Sequence, residues 1–481
     1  MQHLVSAIIL ILLSTAGLYL SWKAAQQERY AVAIGLVMLA GLSLRVFVAA
    51  DPQLHAWDER YHALVAGNMP GHWLKPTLYE HPVLPYDPTD WQANHVWVHK
   101  QPVTLWLIAL SLKVFGMSAF AVRLPSILLS TLAIWLVFDV GRYLFSSRVA
   151  YIAALLFAIN GYVIAIAAGR VHTDHPDALF QFFILLAVWL SVSYFRKERF
   201  YLLLLTGIAL GLAVLTKWLT AFIVLPLWLV LSQRGSLKGR YVAALLRVLL
   251  VLVVATAVFL PWQWHILHSY PVEAKWEYAY NNLHLYEALE EHEGSAWFHF
   301  GWMGTIYGYL VYPALIIFAV QTARQRSNGH LLCLVWWGIP YAFFTVVATK
   351  MPAYTLIASP AVVLMMACAV DWLLTRADTG SYRPALRLAA LAIVLFSVKY
   401  TLERIKPIPI ASREDDWSRE IKKLRCGEWD SANCIIFNAE HYIEAMFYLD
   451  ATVYPIVPAP STIDSLQGNG YKVLVLPGGK F

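Results

Sequence analysis

Charge is scarce in this chain. Asp, Glu, Lys and Arg supply only 14% of its 481 residues, well below the roughly 25% of a soluble domain. The excess of basic over acidic residues is a small +6, which gives no case for a nucleic-acid partner. Cysteine is limited to four residues. Cys333 and Cys368 fall in apolar runs and read as packing residues. Cys426 and Cys434 lie in a polar tail, where a disulfide is open to them if the tail is extracytoplasmic. There is no internal repeat, no low-complexity tract and no Gly-rich phosphate loop. Residues 3–21 lack the basic start and small-residue cleavage site of a signal peptide and read as a first span.

Apolar sequence is what the chain has instead. Hydrophobic residues make up 59% of it, and the mean hydropathy is +0.56. Aromatics reach 14%, with 20 Trp, which suits interfacial belts. A membrane crossing needs about 20 apolar residues. Twelve runs qualify as candidates: 3–21, 30–50, 121–143, 149–168, 176–195, 199–216, 218–232, 241–262, 303–321, 331–349, 353–375 and 384–402. Residues 103–115 are too short to span and read as an interfacial or re-entrant helix. Alternate loops carry Lys23/Arg29, Arg142/Arg148, Arg196/Lys197/Arg199, Arg234/Lys238/Arg240, Arg324/Arg326 and Arg376/Arg383. Basic short loops face the cytoplasm. The opposite face then receives residues 51–120, the 170–175 turn, Lys217, residues 263–302, Lys350 and everything after 402.

The expected architecture is an all-α polytopic membrane domain over 1–402, with about 12 spans and interfacial helices in the 51–120 loop. A small extracytoplasmic α/β domain follows over 403–481. Its strands are expected at 434–437, 452–457 and 472–476, with a helix at 441–449.

Ionisable residues in such a chain call for a reason, because they are costly near lipid. Asp58 and Glu59 open an amphipathic helix just past the second span. A carboxylate there can orient a donor phosphate through a metal, act as general base, or stabilise charge at a sugar carbon. It also suits a helix N-terminus with no further role. Lys100, in His99-Lys100-Gln101-Pro102, suits a lipid-linked phosphate as a point charge; it equally suits an ordinary snorkelling lysine. Arg170, His172, Asp174 and His175 crowd one short turn. Lys217 and Lys350 end spans on the same face. Glu80, His81, His95 and His99 offer N and O ligands for zinc, at a spacing that matches no standard pattern.

In order and spacing these segments resemble the C-type (GT-C) membrane glycosyltransferases of family 39, which include protein O-mannosyltransferases and lipid A aminoarabinose transferases. The resemblance covers residues 55–375. It rests on Asp58-Glu59, on His99-Lys100-Gln101-Pro102 with Phe115-Gly116, and on Arg123-Leu124-Pro125-Ser126. Gly169-Arg170 with Thr173-Asp174, Gly211 to Lys217, Pro261-Trp262 and Thr349 to Tyr354 continue it.

It implies a polyprenyl-phosphate sugar donor, inversion, and a lipid, glycan or protein acceptor at the outer face of a bacterial inner membrane. By carry-over Asp58 is the principal carboxylate, with Glu59 beside it, and Asp174 is the second. Lys100 contacts the donor phosphate, and Lys350 and Tyr354 line the donor cavity; by their position Arg170 and Lys217 join Lys100 and Lys350 as a cationic funnel for a phosphate, and Tyr61 is counted on the donor side. A divalent metal is open.

The chain departs from the pattern at Gln101, at Trp218 where glycine is usual, and at Tyr61 where aminoarabinose transferases carry arginine. Two other classes remain: a transporter or flippase of lipid-linked sugars, and a non-catalytic membrane subunit that binds a partner through 403–481.

Overall fold

A computed structural model describes residues 2–171, 174–233, 238–379, 382–404, 421, 433–449 and 451–479, apart from the side chains of residues 2–7, 174, 379 and 404. Among the described residues, seventeen α-helices run in order through the first 404 positions. They are α1 (Gln2–Gln26), α2 (Tyr30–Ala49), α3 (Asp58–Asn68), α4 (Pro102–Phe115), α5 (Ala119–Leu144) and α6 (Ser147–Ala158). Then come α7 (Gly161–Ala167), α8 (Asp174–Lys197), α9 (Tyr201–Lys217), α10 (Val224–Ser232), α11 (Tyr241–Ser269) and α12 (Pro271–Leu283). The series ends with α13 (Phe298–Tyr307), α14 (Val311–Gln325), α15 (Asn328–Val346), α16 (Ser359–Thr379) and α17 (Arg383–Arg404). The chain divides into two compact units.

The first unit is Met1–Ala49, Ser126–His265 and Tyr278–Lys406. Of the twelve expected spans, eight are helices long and apolar enough to cross a membrane. Two more, 149–168 and 303–321, are broken pairs: α6 and α7 bend by 54°, α13 and α14 by 103°. The remaining two, α9 and the 219–232 stretch, are apolar but shorter than 18 residues. Polar side chains hold the breaks. Asn160 caps α7 by accepting from the Tyr162 and Val163 N–H groups, and its Nδ2 donates to the Ile306 carbonyl at 2.9 Å. Thr401 donates to the Ile159 carbonyl and Ser397 to that of Tyr307. The fully buried Arg45 donates to Ala158 O at 3.1 Å, Gly41 O at 3.0 Å and Ser130 Oγ at 2.9 Å. The bonds to the Ala158, Ile159, Ile306 and Tyr307 carbonyls satisfy groups that a helix end leaves unpaired. Gly207 and Gly211 bring α9 against α11; a Cβ at either would lie 2.6 Å from the Cβ of Val254 or Val258.

The second unit is Ala50–Pro125, Ile266–Glu277 and Pro407–Phe481. Strands β1 (Cys434–Phe437), β2 (Thr452–Val453) and β3 (Lys472–Val475) form a parallel sheet in the order β2-β1-β3. The strands lie where the sequence places them, with β2 shorter than expected. A helix over Pro460–Gly468, not anticipated, leads into β3. The expected helix at 441–449 is found as Tyr442–Leu449, and it packs on α3. The core joins residues of α3, α4 and the sheet, among them Leu64, Leu105, Ile435 and Phe447. Tyr454 accepts hydrogen bonds from the Val83 and Leu84 N–H groups, pinning the loop before α4 to the sheet. Cys426, and with it the question of its pairing with Cys434, lies outside the described residues.

Candidate active site

In the second unit Asp58 is the first residue of α3 and Glu59 the next. Carboxylates suit this first turn because they face unpaired N–H groups. Successive helical residues point about 100° apart, and the two side chains diverge accordingly. Asp58 keeps 21% exposure and meets the Lys100 ammonium at 3.4 Å. Burial alone would push the Asp58 carboxyl up. The opposing pull of the Lys100 ammonium prevails and holds it well below the usual carboxylate range. Asp58 is therefore ionised across any working pH.

Glu59 turns inward and is fully buried. Arg123 grips it with two bonds, Nε to Oε1 at 2.6 Å and Nη2 to Oε2 at 2.8 Å. The His55 N–H donates to it at 2.7 Å. The same guanidinium donates to the Asp51 and Gln53 carbonyls, both at 2.6 Å, so one buried ion pair fixes the whole entry to α3.

Lys100 stands just before α4. Gln101 is extended, at φ −68° and ψ 151°, as a residue before proline prefers, and Pro102 opens the helix. His99 lies flat on Trp91, with rings 4.3 Å apart, and its Nδ1 meets both Glu277 oxygens at 3.0–3.1 Å. Burial and Lys100 push His99 below its ordinary range, against the pull of Glu277, and the neutral ring donates to that carboxylate.

Tyr61 sits in an aromatic stack with Trp91 and Trp97, its hydroxyl 3.3 Å from that of Tyr442. Arg60 bonds Glu444 at 3.3 Å. The four proposed zinc ligands scatter: Glu80 pairs with His72, His81 is exposed, His95 stacks on Tyr86, and His99 takes Glu277. Among the described residues no three His, Cys, Asp or Glu side chains gather to hold a metal.

In the first unit, Lys217 at the end of α9 pairs with Asp177 and lies 4.9 Å above the Tyr354 ring. Asp177 is buried in the first turn of α8, one turn from Asp174, and among the described residues one of its oxygens has no hydrogen-bond partner. The sequence reading passed over it; its signal was the three-residue spacing from Asp174, which puts both on one helix face. The side chain of Asp174, and His172 and Thr173 entirely, lie outside the described residues. Arg170 follows Gly169 and is partly exposed. His175 meets Ser126 Oγ at 2.8 Å.

Lys350 does something different from Lys100. Its ammonium donates to the Phe344, Thr345 and Val347 carbonyls at the end of α15, and burial lowers its pKa. Trp218, standing where glycine is usual in the resembled family, has φ 75° and ψ −154°, a conformation that favours glycine.

Residues 99–264 match the family model described as dolichyl-phosphate-mannose-protein mannosyltransferase. Among curated relatives, an undecaprenyl phosphate-alpha-4-amino-4-deoxy-L-arabinose arabinosyl transferase of Pseudomonas fluorescens is 27% identical over 64% of this chain and 56% of its own length. The chain spans about half the length of the first curated relatives it matches. Two solved structures share its fold. ArnT from Cupriavidus metallidurans bound to undecaprenyl phosphate has a TM-score of 0.64 at 15% identity, over 92% of this chain and 89% of that one. The Archaeoglobus fulgidus oligosaccharyltransferase has a TM-score of 0.57 at 14% identity, over 88% and 64%. The resemblance to family 39 membrane glycosyltransferases and the GT-C architecture it implied are both borne out by these likenesses.

Proposed function

We propose that this chain is a multi-pass membrane glycosyltransferase that moves a sugar from a polyprenyl-phosphate carrier to a lipid, glycan or protein acceptor. The observation that carries this reading is the Asp58–Lys100 pair: a partly exposed carboxylate, held ionised by an ammonium, at a helix N-terminus. The relatives' names add the donor class, a polyprenyl phosphate. The alternation of basic loops puts the pair, and the 403–481 segment, on the extracytoplasmic face of a bacterial inner membrane. Nothing in the likenesses favours the flippase.

In this reading the acceptor oxygen attacks the anomeric carbon from the face opposite the carrier. The new C–O bond forms as the bond to the phosphate oxygen breaks, with inversion, and polyprenyl phosphate leaves with the electron pair. Lys100 stabilises the charge that develops on that phosphate. When Lys100 turns to the phosphate, its hold on Asp58 weakens and the carboxylate becomes a stronger base. Asp58 then takes the proton of a hydroxyl acceptor, or stabilises the sugar cation if the acceptor is already ionised. Glu59 anchors the helix and does not react. Arg170, and Lys217 with Asp177 and Tyr354, are proposed donor-side groups of the first unit, and Asp174 remains its second candidate carboxylate.

Purified protein in lipid vesicles is expected to release free polyprenyl phosphate only when both a polyprenyl-phosphate sugar and an acceptor are present. Movement of intact donor across the bilayer without that release would sink the reading in favour of transport.

A further inference from the structure

The helix α12 buries an unusual face. An amphipathic helix normally turns apolar residues inward; α12 buries Glu273, Ala274 and Glu277. The two acids are one turn apart and therefore on one side of the helix. Each is met by the loop before α4. The Tyr86 hydroxyl donates to Glu273, and His99 to Glu277. Burial, reinforced by the Glu273 bond, pushes the Tyr86 phenol up to about 12, so it remains a donor. His99 and Glu277 are only 7% and 6% exposed. Buried carboxylates are costly unless hydrogen-bonded, and an apolar pair packs as well or better. What the acids add is a fixed position for their partners.

That position matters because His99 immediately precedes Lys100. The His99 ring is held on one face by Trp91, with ring planes 3° from parallel, and at its edge by Trp97. On the other side of Lys100, Pro102 opens α4 and holds Gln101 extended. Lys100 thus stands between two fixed points.

We propose that Glu273 and Glu277 of α12 are positioning residues for donor binding: by gripping Tyr86 and His99 they set where the Lys100 ammonium meets the donor phosphate. This rests on the reading of Lys100 as the donor's phosphate contact.

The test uses the full chain in lipid nanodiscs and undecaprenyl phosphate as probe. Glu277→Ala and His99→Ala are each expected to weaken probe binding by roughly 10- to 100-fold, the scale of an ångström's misplacement. Turnover at saturating donor should fall less than affinity. Glu277→Gln, which keeps an acceptor oxygen for the ring N–H, should recover most of the loss. The exchange His99→Glu with Glu277→His should bind better than either single exchange, because contacting partners couple. Tyr86→Phe should weaken binding roughly threefold.

Wild-type affinity in both alanine variants would overturn the proposal, as would an exchange no better than its singles. If the alanine variants do not fold, the exchange and Tyr86→Phe decide. A wild-type chain that binds no probe would instead remove the reading of Lys100, and this proposal with it; that outcome is distinct from tight binding indifferent to α12.

Discussion

Asp58 and Glu59 are neighbours in sequence and opposites in structure. One keeps partial exposure and meets an ammonium at 3.4 Å; the other is fully buried under a guanidinium that holds both its oxygens. A charge saturated by fixed donors serves as an anchor, since moving it would strand its partners. A charge held by one flexible lysine can trade that partner for a substrate. The pair shows how a single helical step of about 100° separates chemistry from scaffold.

The sharpest way to break this comparison is to neutralise each acid in turn. Asp58→Asn is expected to cut single-turnover transfer by roughly 10²- to 10⁴-fold. Its effect on stability should be small, about 0–1 kcal/mol, because a partly exposed ion pair is screened. The pH dependence has a definite sign. A carboxyl whose folded pKa is depressed stabilises the fold above its unfolded pKa, and that stability is lost only as pH falls through the folded value. For Asp58 the folded value lies well below the ordinary carboxylate range, so the small margin of wild type over Asp58→Asn should be fullest at neutral pH and shrink as pH falls from the unfolded carboxylate value toward the folded one. Near-wild-type transfer by Asp58→Asn would return the catalytic role to Glu59 or Asp174.

Glu59→Gln should do the reverse. Removing one partner of a buried ion pair costs about 3–5 kcal/mol, here by leaving Arg123 uncompensated in a site with no exposure. The expected outcome is a lower unfolding midpoint in the same lipid. The surviving folded fraction should keep most of its transfer rate. An unchanged midpoint with lost transfer would make Glu59 the reacting carboxylate.

Lys100→Ala is expected to weaken undecaprenyl phosphate binding by roughly 10- to 150-fold, the loss of one charge-assisted hydrogen bond. Lys100→Arg should recover only part of it, because a planar fork is not a point charge. Equal affinity in all three proteins would separate Lys100 from the donor.

Much of this was legible in the sequence, and the limits have physical causes. Long apolar runs located the spans because a bilayer demands about 20 such residues. The breaks at Asn160 and Gly308 stayed hidden, since an apolar run reads alike whether its helix is straight or bent. Asp58 and Lys100 were found as separate charges, and their pairing depends on how α3 meets α4. The division of labour within Asp58-Glu59 was not readable, because the partner that decides it, Arg123, is 64 residues away. Glu273 and Glu277 were passed over inside an acidic outer segment, where a carboxylate ordinarily faces water. The four-residue zinc set does not gather either: Glu80, His95 and His99 each meet other side chains, and His81 is exposed.

The smallest expected effect extends the comparison to two lysines that the sequence could not tell apart. Lys100 stands before the short α4 and Lys350 after α15, and each carries the family's expectation of a donor contact. Lys100 is 27% exposed beside Asp58, whereas Lys350 is 5% exposed and spends its ammonium on three carbonyls. A cation at a helix C-terminus adds up to about 2 kcal/mol in a partly buried site. Burial also lowers the Lys350 pKa. A lysine depressed in the fold is protonated more readily in the unfolded chain, so its charging opposes folding more as pH falls from its unfolded value toward the folded one. Against that charging cost stand the three carbonyl bonds, whose loss in Lys350→Ala should lower the unfolding midpoint by the equivalent of about 1–2 kcal/mol at neutral pH. Lys350→Met, which keeps the length without the charge, should fall no less, because the three carbonyls lose their donor either way. Undecaprenyl phosphate affinity should stay within roughly threefold of wild type. A loss of affinity as large as that of Lys100→Ala, with an unchanged midpoint, would make Lys350 a donor contact that leaves its carbonyls when the carrier arrives.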